Sequence, residues 1–287
     1  MIIQFTTGHK MNPIFINDLH QYQFDTNGYL TTDLLTSHEI CALKLIYKKH
    51  FDQKTFNQFT TTNVTFSKEK KFEIANEIDS IIVPKIQKIL KDINIWPGAF
   101  LIKPPGENTE FEAHQDWTFV DEDKFVSGNV WIPLHDVDVH TGCLSVISSS
   151  HYPNIKTIRS QTIPDFFHSN RKLLTPYTKP LPIKAGQIVV FNHSLIHYSY
   201  PNLSSQNRVV VSNGFNSIGA PLLHYLKTNY CEVELYEMPN NFVFDYDNLE
   251  TLKQKPILGK HLKTFKLAEK QLTDNEIIEM ILKIKQS

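Results

Sequence analysis

The sequence predicts a mainly β protein with flanking helices, its core a β-sandwich or double-sheet jelly roll. Three observations lead there. Residues from about 99 to 213 fall into short apolar or alternating runs parted by turn residues. Two capping-box patterns, far apart in the chain, each open an apolar run of helical period. The chain has 287 residues, 41% of them hydrophobic and 21% charged, enough for a sizeable core and unlike a disordered composition.

Residues 1–33 mix aromatics, Asn and Thr without a clear period. Thr36-Ser37-His38-Glu39 then has capping-box form, and Ile40, Leu43, Leu45 and Ile46 predict a helix to about Lys49. A second helix starts near Ser67 with Phe72, Ile74, Ile78, Ile81 and Ile82. Pro84 is expected to kink or divide it, with Ile86, Ile89 and Leu90 continuing the face. The texture changes at Trp96-Pro97-Gly98. Strands are expected at Ala99–Ile102, Phe111–His114, Asn129–Leu134, Cys143–Ile147, Gln187–Phe191 and Arg208–Asn213. Turns such as Pro104-Pro105-Gly106, Thr141-Gly142 and Ala185-Gly186 separate them. The polar connection 148–182 is long enough to imply a function of its own. Thr273-Asp274-Asn275-Glu276 opens a last helix carrying Ile277, Ile278, Ile281, Leu282 and Ile284. The simplest organisation is one domain over 1–287: a helical part to about 95, a β-core over about 96–215, and a mixed C-terminal extension over about 216–287.

Composition excludes several classes. With 29 Lys+Arg against 30 Asp+Glu the net charge is -1, which disfavours a nucleic-acid or anionic-membrane partner. Three scattered cysteines without a CxxC argue against disulfides and a cysteine zinc site. The first residues lack a basic then apolar leader, and no run has the length of a membrane span. A cytoplasmic protein is expected, of open oligomeric state. Only Arg159, Arg171 and Arg208 are arginines, so each guanidinium invites a reason.

His114-Gln115-Asp116 carries the chemistry. In a strand, residues i and i+2 share a face, so an imidazole and a carboxylate converge on one metal ion. A third ligand would complete a facial triad of two His and one carboxylate, with positions left open on Fe(II). The tripeptide alone is weak, since His50-Phe51-Asp52 also has it. That copy ends the first predicted helix, where i and i+2 diverge.

The second half of the signal runs from Ala185-Gly186-Gln187 through His193, His197, Ser199 and Tyr200-Pro201-Asn202 to Arg208. With it the chain resembles the phytanoyl-CoA dioxygenase family of Fe(II)/2-oxoglutarate oxygenases. The resemblance rests on His114-Gln115-Asp116, Trp131-Ile132-Pro133-Leu134, Gly142 to Ser150-His151, Ala185-Gly186-Gln187, His197 and, eleven residues on, Arg208. It covers about residues 24–215 and departs at Gln187, where Asp is usual, and Ser149, where Gly is usual. Both are turn positions. The last 70 or so residues carry no resemblance.

The resemblance implies a double-stranded β-helix of jelly-roll, cupin-like form. It implies that His114, Asp116 and His197 hold Fe(II), that Arg208 grips the distal carboxylate of 2-oxoglutarate with Ser199, and that Trp131 lines the co-substrate pocket. A planar fork suits a carboxylate in a way that Lys cannot reproduce. It implies oxidative decarboxylation with O2 to succinate and CO2, coupled to hydroxylation of an unactivated C–H. The intact Asp116 favours hydroxylation over halogenation, with desaturation or ring closure also open. Substrate contacts are expected from Lys103, which could reach an acid group, from Trp117 and Phe119 behind the HxD, and from Arg159 and Arg171 in the long connection. His193 is expected to pack in the core. A small-molecule substrate is preferred, and no basic cluster for the nucleotide of an acyl-CoA is visible. The alternatives are a non-catalytic metal- or 2-oxoglutarate-binding β-sandwich and an oxygenase acting on a protein side chain.

Overall fold

A computed structural model of the chain describes residues 12–52, 54–152, 157–240, 242, 246, 249–268 and 271–286. The unpatterned N-terminal stretch contains a helix, α1 (Asp18–Asn27), and a strand, β1 (Tyr29–Asp33). Asn17 accepts from the His20 amide to start α1, and Gly28, at φ 80, ends it in the left-handed region that glycine tolerates. Both sides of the Thr36–Glu39 capping box form at the head of α2 (Ser37–Phe51). The short β2 (Thr60–Thr61) and α3 (Thr62–Thr65) lead to α4 (Lys68–Ile86), which Ser67 caps. Pro84 does not divide α4: it sits in the last turn, and Ser80, whose carbonyl it leaves unpaired, is solvent-exposed.

The strands follow as β3 (Ile93–Ile95), β4 (Ala99–Lys103), β5 (Phe111–His114), β6 (Ser127–Pro133), β7 (Leu144–Val146), β8 (Lys179–Pro180), β9 (Gln187–Asn192), β10 (His197–Ser199) and β11 (Arg208–Ser217). The larger sheet has the order β1-β9-β6-β11-β4-β2, with β3 also paired to β11. The smaller has the order β5-β10-β7-β8. Every pairing in both is antiparallel, and the two sheets form the jelly roll. The larger sheet is buried on both faces, and strand alternation sorts its side chains. Phe100, Ile102, Val130, Ile132, Ile188, Val190, Val209 and Val211 pack against Leu43, Ile74, Ile78 and Ile82 of the helices. Leu101, Trp131, Val189, Phe191 and Val210 face inward, toward Leu144 and Val146 of the smaller sheet. Arg208 and Ser212 share Val210's parity, and Asn129 shares Trp131's. The polar side chains of the interior thus come from the same alternation that builds the core.

Beyond β11 lies a third antiparallel sheet: β12 (Leu222–Lys227), β13 (Glu232–Met238) and β14 (Lys260–Lys266). The lysine-rich β14 is mostly exposed. The last helix, α5 (Asp274–Gln286), starts at the second capping box, closed by Thr273 and Glu276. Its buried Ile277 and Ile281 pack with Phe166, Phe167 and Leu174 of the long connection and with Ala113, Ile196 and Tyr198 of the smaller sheet. The connection, polar in sequence, is therefore anchored by apolar residues that α5 covers. Residues 153–156 of it lie outside the described residues. No described helix is long and apolar enough to cross a membrane.

Candidate metal and co-substrate site

Pairing between β5 and β10 sets His197 directly opposite His114. Their rings lie 4.2 Å apart between centroids. Asp116 Oδ1 is 3.7 Å from His114 Nε2 and 3.9 Å from His197 Nε2. One ligand atom from each of the three residues lies within 4.8 Å of the others, a separation one metal ion can bridge. The hydrogen bonds behind these atoms select which ones face inward. His114 Nδ1 donates to the Glu112 carbonyl at 2.7 Å, and His197 Nδ1 donates to the Leu195 carbonyl at 3.0 Å. Each Nε2 therefore carries a free lone pair. Asp116 Oδ2 accepts from Asn129 Nδ2 at 3.0 Å, which leaves Oδ1 to face the imidazoles. Burial, with His114 adjacent, pushes His197 down to about 4, so its imidazole is neutral at pH 7. Burial raises the Asp116 carboxyl, but His197 and His114 more than offset it and hold the group well below the usual carboxylate range.

One detail differs from the strand argument. β5 ends at His114, and Asp116 lies past it in irregular chain. Sheet alternation alone does not aim its carboxylate. Hydrogen bonds do: Gln115 Nε2 donates to the Ser194 carbonyl at 2.5 Å, and Arg159 Nε donates to the Asp116 carbonyl at 2.7 Å.

A cavity of about 150 Å³ adjoins the three residues. Trp131, Ser199, Arg208 and Ser212 form its inner wall, and Phe59 and Phe111 flank it, their rings 5.3 Å apart. Arg208 is 2% exposed, its guanidinium carbon 5.5 Å over the Trp131 ring. It forms no salt bridge among the described residues, and its Nε has no hydrogen-bond partner. Burial lowers it to about 10, still cationic at pH 7. An uncompensated buried guanidinium is costly unless an anion meets it. Lys103 pairs with Arg208 across β4 and β11. Its Nζ donates to Ser199 Oγ at 2.6 Å and to the Tyr200 carbonyl at 2.6 Å. Burial, then the charge of Arg208, brings Lys103 down to about 6.

The structure brings His114, Asp116, His197, Arg208, Ser199 and Trp131 to one cavity. It places the expected substrate contacts elsewhere. Lys103 is fully buried behind Ser199 and does not line the cavity. Phe119 packs its ring on Trp96 and His193, both at 4.9 Å, in a separate apolar cluster, with Trp117 beside it at 6.2 Å. Arg159 is 1% exposed and paired with Glu122, and Arg171 pairs with Asp165 of its own segment. Both are consumed internally, each guanidinium paired with a carboxylate that offsets the cost of its burial. His193 packs against Trp96 and Phe119 and bonds Ser127 Oγ at 2.9 Å. Sequence reasoning missed Asn129, Phe59 and Phe111. The parity of Asn129 with Trp131 would have found the first. Nothing in the local sequence marks Phe59.

Both turn departures have a local account. Gln187 Oε1 accepts from the Lys184 amide at 3.0 Å and so caps the turn itself. Ser149 sits at φ 66, where glycine is favoured, held by its hydroxyl on the Thr26 carbonyl at 2.8 Å.

A family model described as phytanoyl-CoA dioxygenase (PhyH) matches residues 44–210, which include His114, Asp116, Trp131, His197, Ser199 and Arg208. Phytanoyl-CoA dioxygenase 1 of Oryza sativa subsp. japonica is 33% identical over 137 residues, 47% of this chain and 45% of that protein. The chain thus spans about half the length of this curated relative. Among solved structures, the non-heme alpha-ketoglutarate-dependent carbocyclase SnoK from nogalamycin biosynthesis aligns with TM-score 0.53 and 16% identity, covering 72% of this chain and 86% of its own. HygX from Streptomyces hygroscopicus, solved with nickel and 2-oxoglutarate bound, aligns with TM-score 0.51 and 13% identity, covering 71% and 88%. At such identities the likeness is one of fold.

Proposed function

Because the chain belongs to the phytanoyl-CoA dioxygenase family, we propose that it is an Fe(II)/2-oxoglutarate-dependent oxygenase that hydroxylates a C–H bond of a small molecule. The family uses Fe(II), 2-oxoglutarate and O2. One observation carries the reading for this chain: a two-histidine, one-carboxylate triangle adjoins a buried guanidinium with no acidic partner among the described residues. The donor set fits the metal, since two imidazole nitrogens and one carboxylate oxygen form the facial set of non-haem Fe(II) oxygenases. His114, Asp116 and His197 would hold the ion. When bound, the metal and co-substrate supply an oxidation in which R–H, 2-oxoglutarate and O2 become R–OH, succinate and CO2.

The chain's own residues bind and orient. Arg208 receives the distal carboxylate of 2-oxoglutarate in a fixed, charged fork. The Ser199 hydroxyl accepts from Lys103 and so has its own hydrogen free to donate to the same carboxylate. Trp131 walls the cavity beneath the guanidinium and excludes water from it. His197 and Asp116 are unprotonated at neutral pH, so neither of these two ligands has a proton to release when the ion loads. Among the described residues, the Asp, Glu, Lys and Arg side chains lining the cavity are Asp116 and Arg208, both engaged by this scheme. The substrate is then left the aromatic flank of Phe59 and Phe111, which favours an uncharged, apolar reacting part over a phosphate or carboxylate.

The test is a metabolite screen with Fe(II) and 2-oxoglutarate, reading succinate release and product mass. Substrate-stimulated succinate with a product heavier by one oxygen is expected. A product lighter by two hydrogens would replace hydroxylation with ring closure or desaturation. Failure to bind 2-oxoglutarate with the metal present would overturn the reading.

A further inference from the structure

We propose that Arg159 is a positioning residue for the metal site: it fixes the main chain of Asp116 where the sheet no longer does. The inference rests on the assignment of Asp116 as a metal ligand. β5 stops at His114, so the Asp116 carbonyl has no strand partner, and a guanidinium takes that place. Three nitrogens of one planar group serve three acceptors, two on the connection between β5 and β6 and one on Arg159's own segment. Nε donates to the Asp116 carbonyl at 2.7 Å. Nη2 meets Glu122 Oε1 at 2.5 Å, and Nη1 donates to the Thr157 carbonyl. The two main chains are also stitched directly, Thr118 N to the Arg159 carbonyl at 2.9 Å and Arg159 N to Thr118 Oγ1 at 3.1 Å.

The side chains of Arg159 and Glu122 are 1% and 10% exposed. A desolvated pair of this kind adds little net stability compared with apolar packing, so its retention points to placement. The placement needed is that of a carboxylate whose other oxygen is already held by Asn129. Outer contacts of this kind orient a ligand and set its metal affinity, and their loss costs about 10- to 100-fold. A lysine offers one nitrogen and cannot span the Asp116 carbonyl, Glu122 and Thr157 together.

The experiment titrates the metal-free full chain with Fe(II), and with Co(II) for its visible d–d spectrum, in the wild type, Arg159→Lys and Glu122→Gln. Thermal unfolding of each metal-free chain is run alongside. Arg159→Lys is expected to weaken Fe(II) binding by about 10- to 100-fold and to alter the Co(II) spectrum. Glu122→Gln, which keeps a hydrogen-bonding side chain, serves if Arg159→Lys does not fold, and should weaken binding by a smaller factor. Affinities within twofold of wild type and an unchanged Co(II) spectrum, whatever the fall in Tm, would make the brace a packing feature and overturn the proposal. A wild-type chain that binds neither metal would instead overturn the site assignment on which the proposal rests.

Discussion

Among the described residues, two clusters bring three histidine and carboxylate side chains within metal-binding distance of one another, and they differ in what surrounds them. At the surface between α2 and α4, His50 Nε2 lies 3.2 Å from Glu77 Oε1, with Glu73 close by. There the Lys49 ammonium already sits 2.7 Å from Glu77 and 3.7 Å from Glu73. In the jelly-roll interior, His114, Asp116 and His197 have no lysine or arginine nitrogen in salt-bridge contact among the described residues, and Arg208 nearby has no acid. The surface cluster is a closed set of charges. The interior one sets a carboxylate and a guanidinium apart, neither in a salt bridge with a Lys, Arg, Asp or Glu among the described residues. Each begins with a His-x-Asp, and the helical period around His50 already sets its copy apart in the sequence. What separates them is the burial of uncompensated charge, which a fold retains at a cost to stability.

The contrast can be broken most sharply by removing a ligand. Asp116→Ala should abolish Fe(II) binding by titration and all succinate production, whereas Glu77→Gln should leave both unchanged. Equal losses in the two variants would erase the distinction. Next is the anion side: Arg208→Lys should raise the apparent KM for 2-oxoglutarate about 10- to 100-fold, the loss expected for a charge-assisted bidentate contact. Metal affinity in that variant should hold. A smaller effect concerns pH. Burial holds His193, His197 and His224 down to about 4, while an unfolded histidine titrates near 6.5. Between those values the unfolded chain binds more protons than the native one. Stability of the metal-free protein, from urea unfolding, should therefore fall as pH drops from about 6.5 to 4. A flat profile would mean that the interior histidines are not desolvated. Smallest is the surface pair itself: Glu77→Gln should move Tm by less than about 3 °C, as exposed ion pairs do.

Much of this was legible from residues alone. Both capping boxes close as read, and the expected strands of the β-core appear with ends displaced by a few residues. Those signals are local: a 3.6 or 2.0 period and a hydroxyl three residues before an acid. Elements without such a signal were not found. α1 and β1 lack a period, and β1 exists because it pairs with β9 at the edge of the larger sheet. The third sheet was hidden in a mixed segment for the same reason. Three of the expected substrate contacts lie elsewhere for one shared reason. Lys103, Arg159 and Arg171 are long cations whose residue type suggested a substrate, but whether a cation meets a ligand or an internal acceptor depends on which chain segment packs beside it. Ser199, Asp116 with Glu122, and Asp165 lie 96, 43, 37 and 6 residues away from their respective partners.

The sequence by itself determined the β-core with its flanking helices and the faces of most of its strands, and it offered His114, Asp116, His197 and Arg208 as the candidates for a metal and a dicarboxylate. Those follow from side-chain chemistry and short-range period, which survive without knowledge of neighbours. Only the tertiary structure decided that His197 stands opposite His114, that Asn129 takes one oxygen of Asp116, and that a guanidinium from the long connection holds the backbone there. Strand register and segment packing bring together residues far apart in the chain, and that pairing is set by the free energy of the whole core, not by any window of sequence.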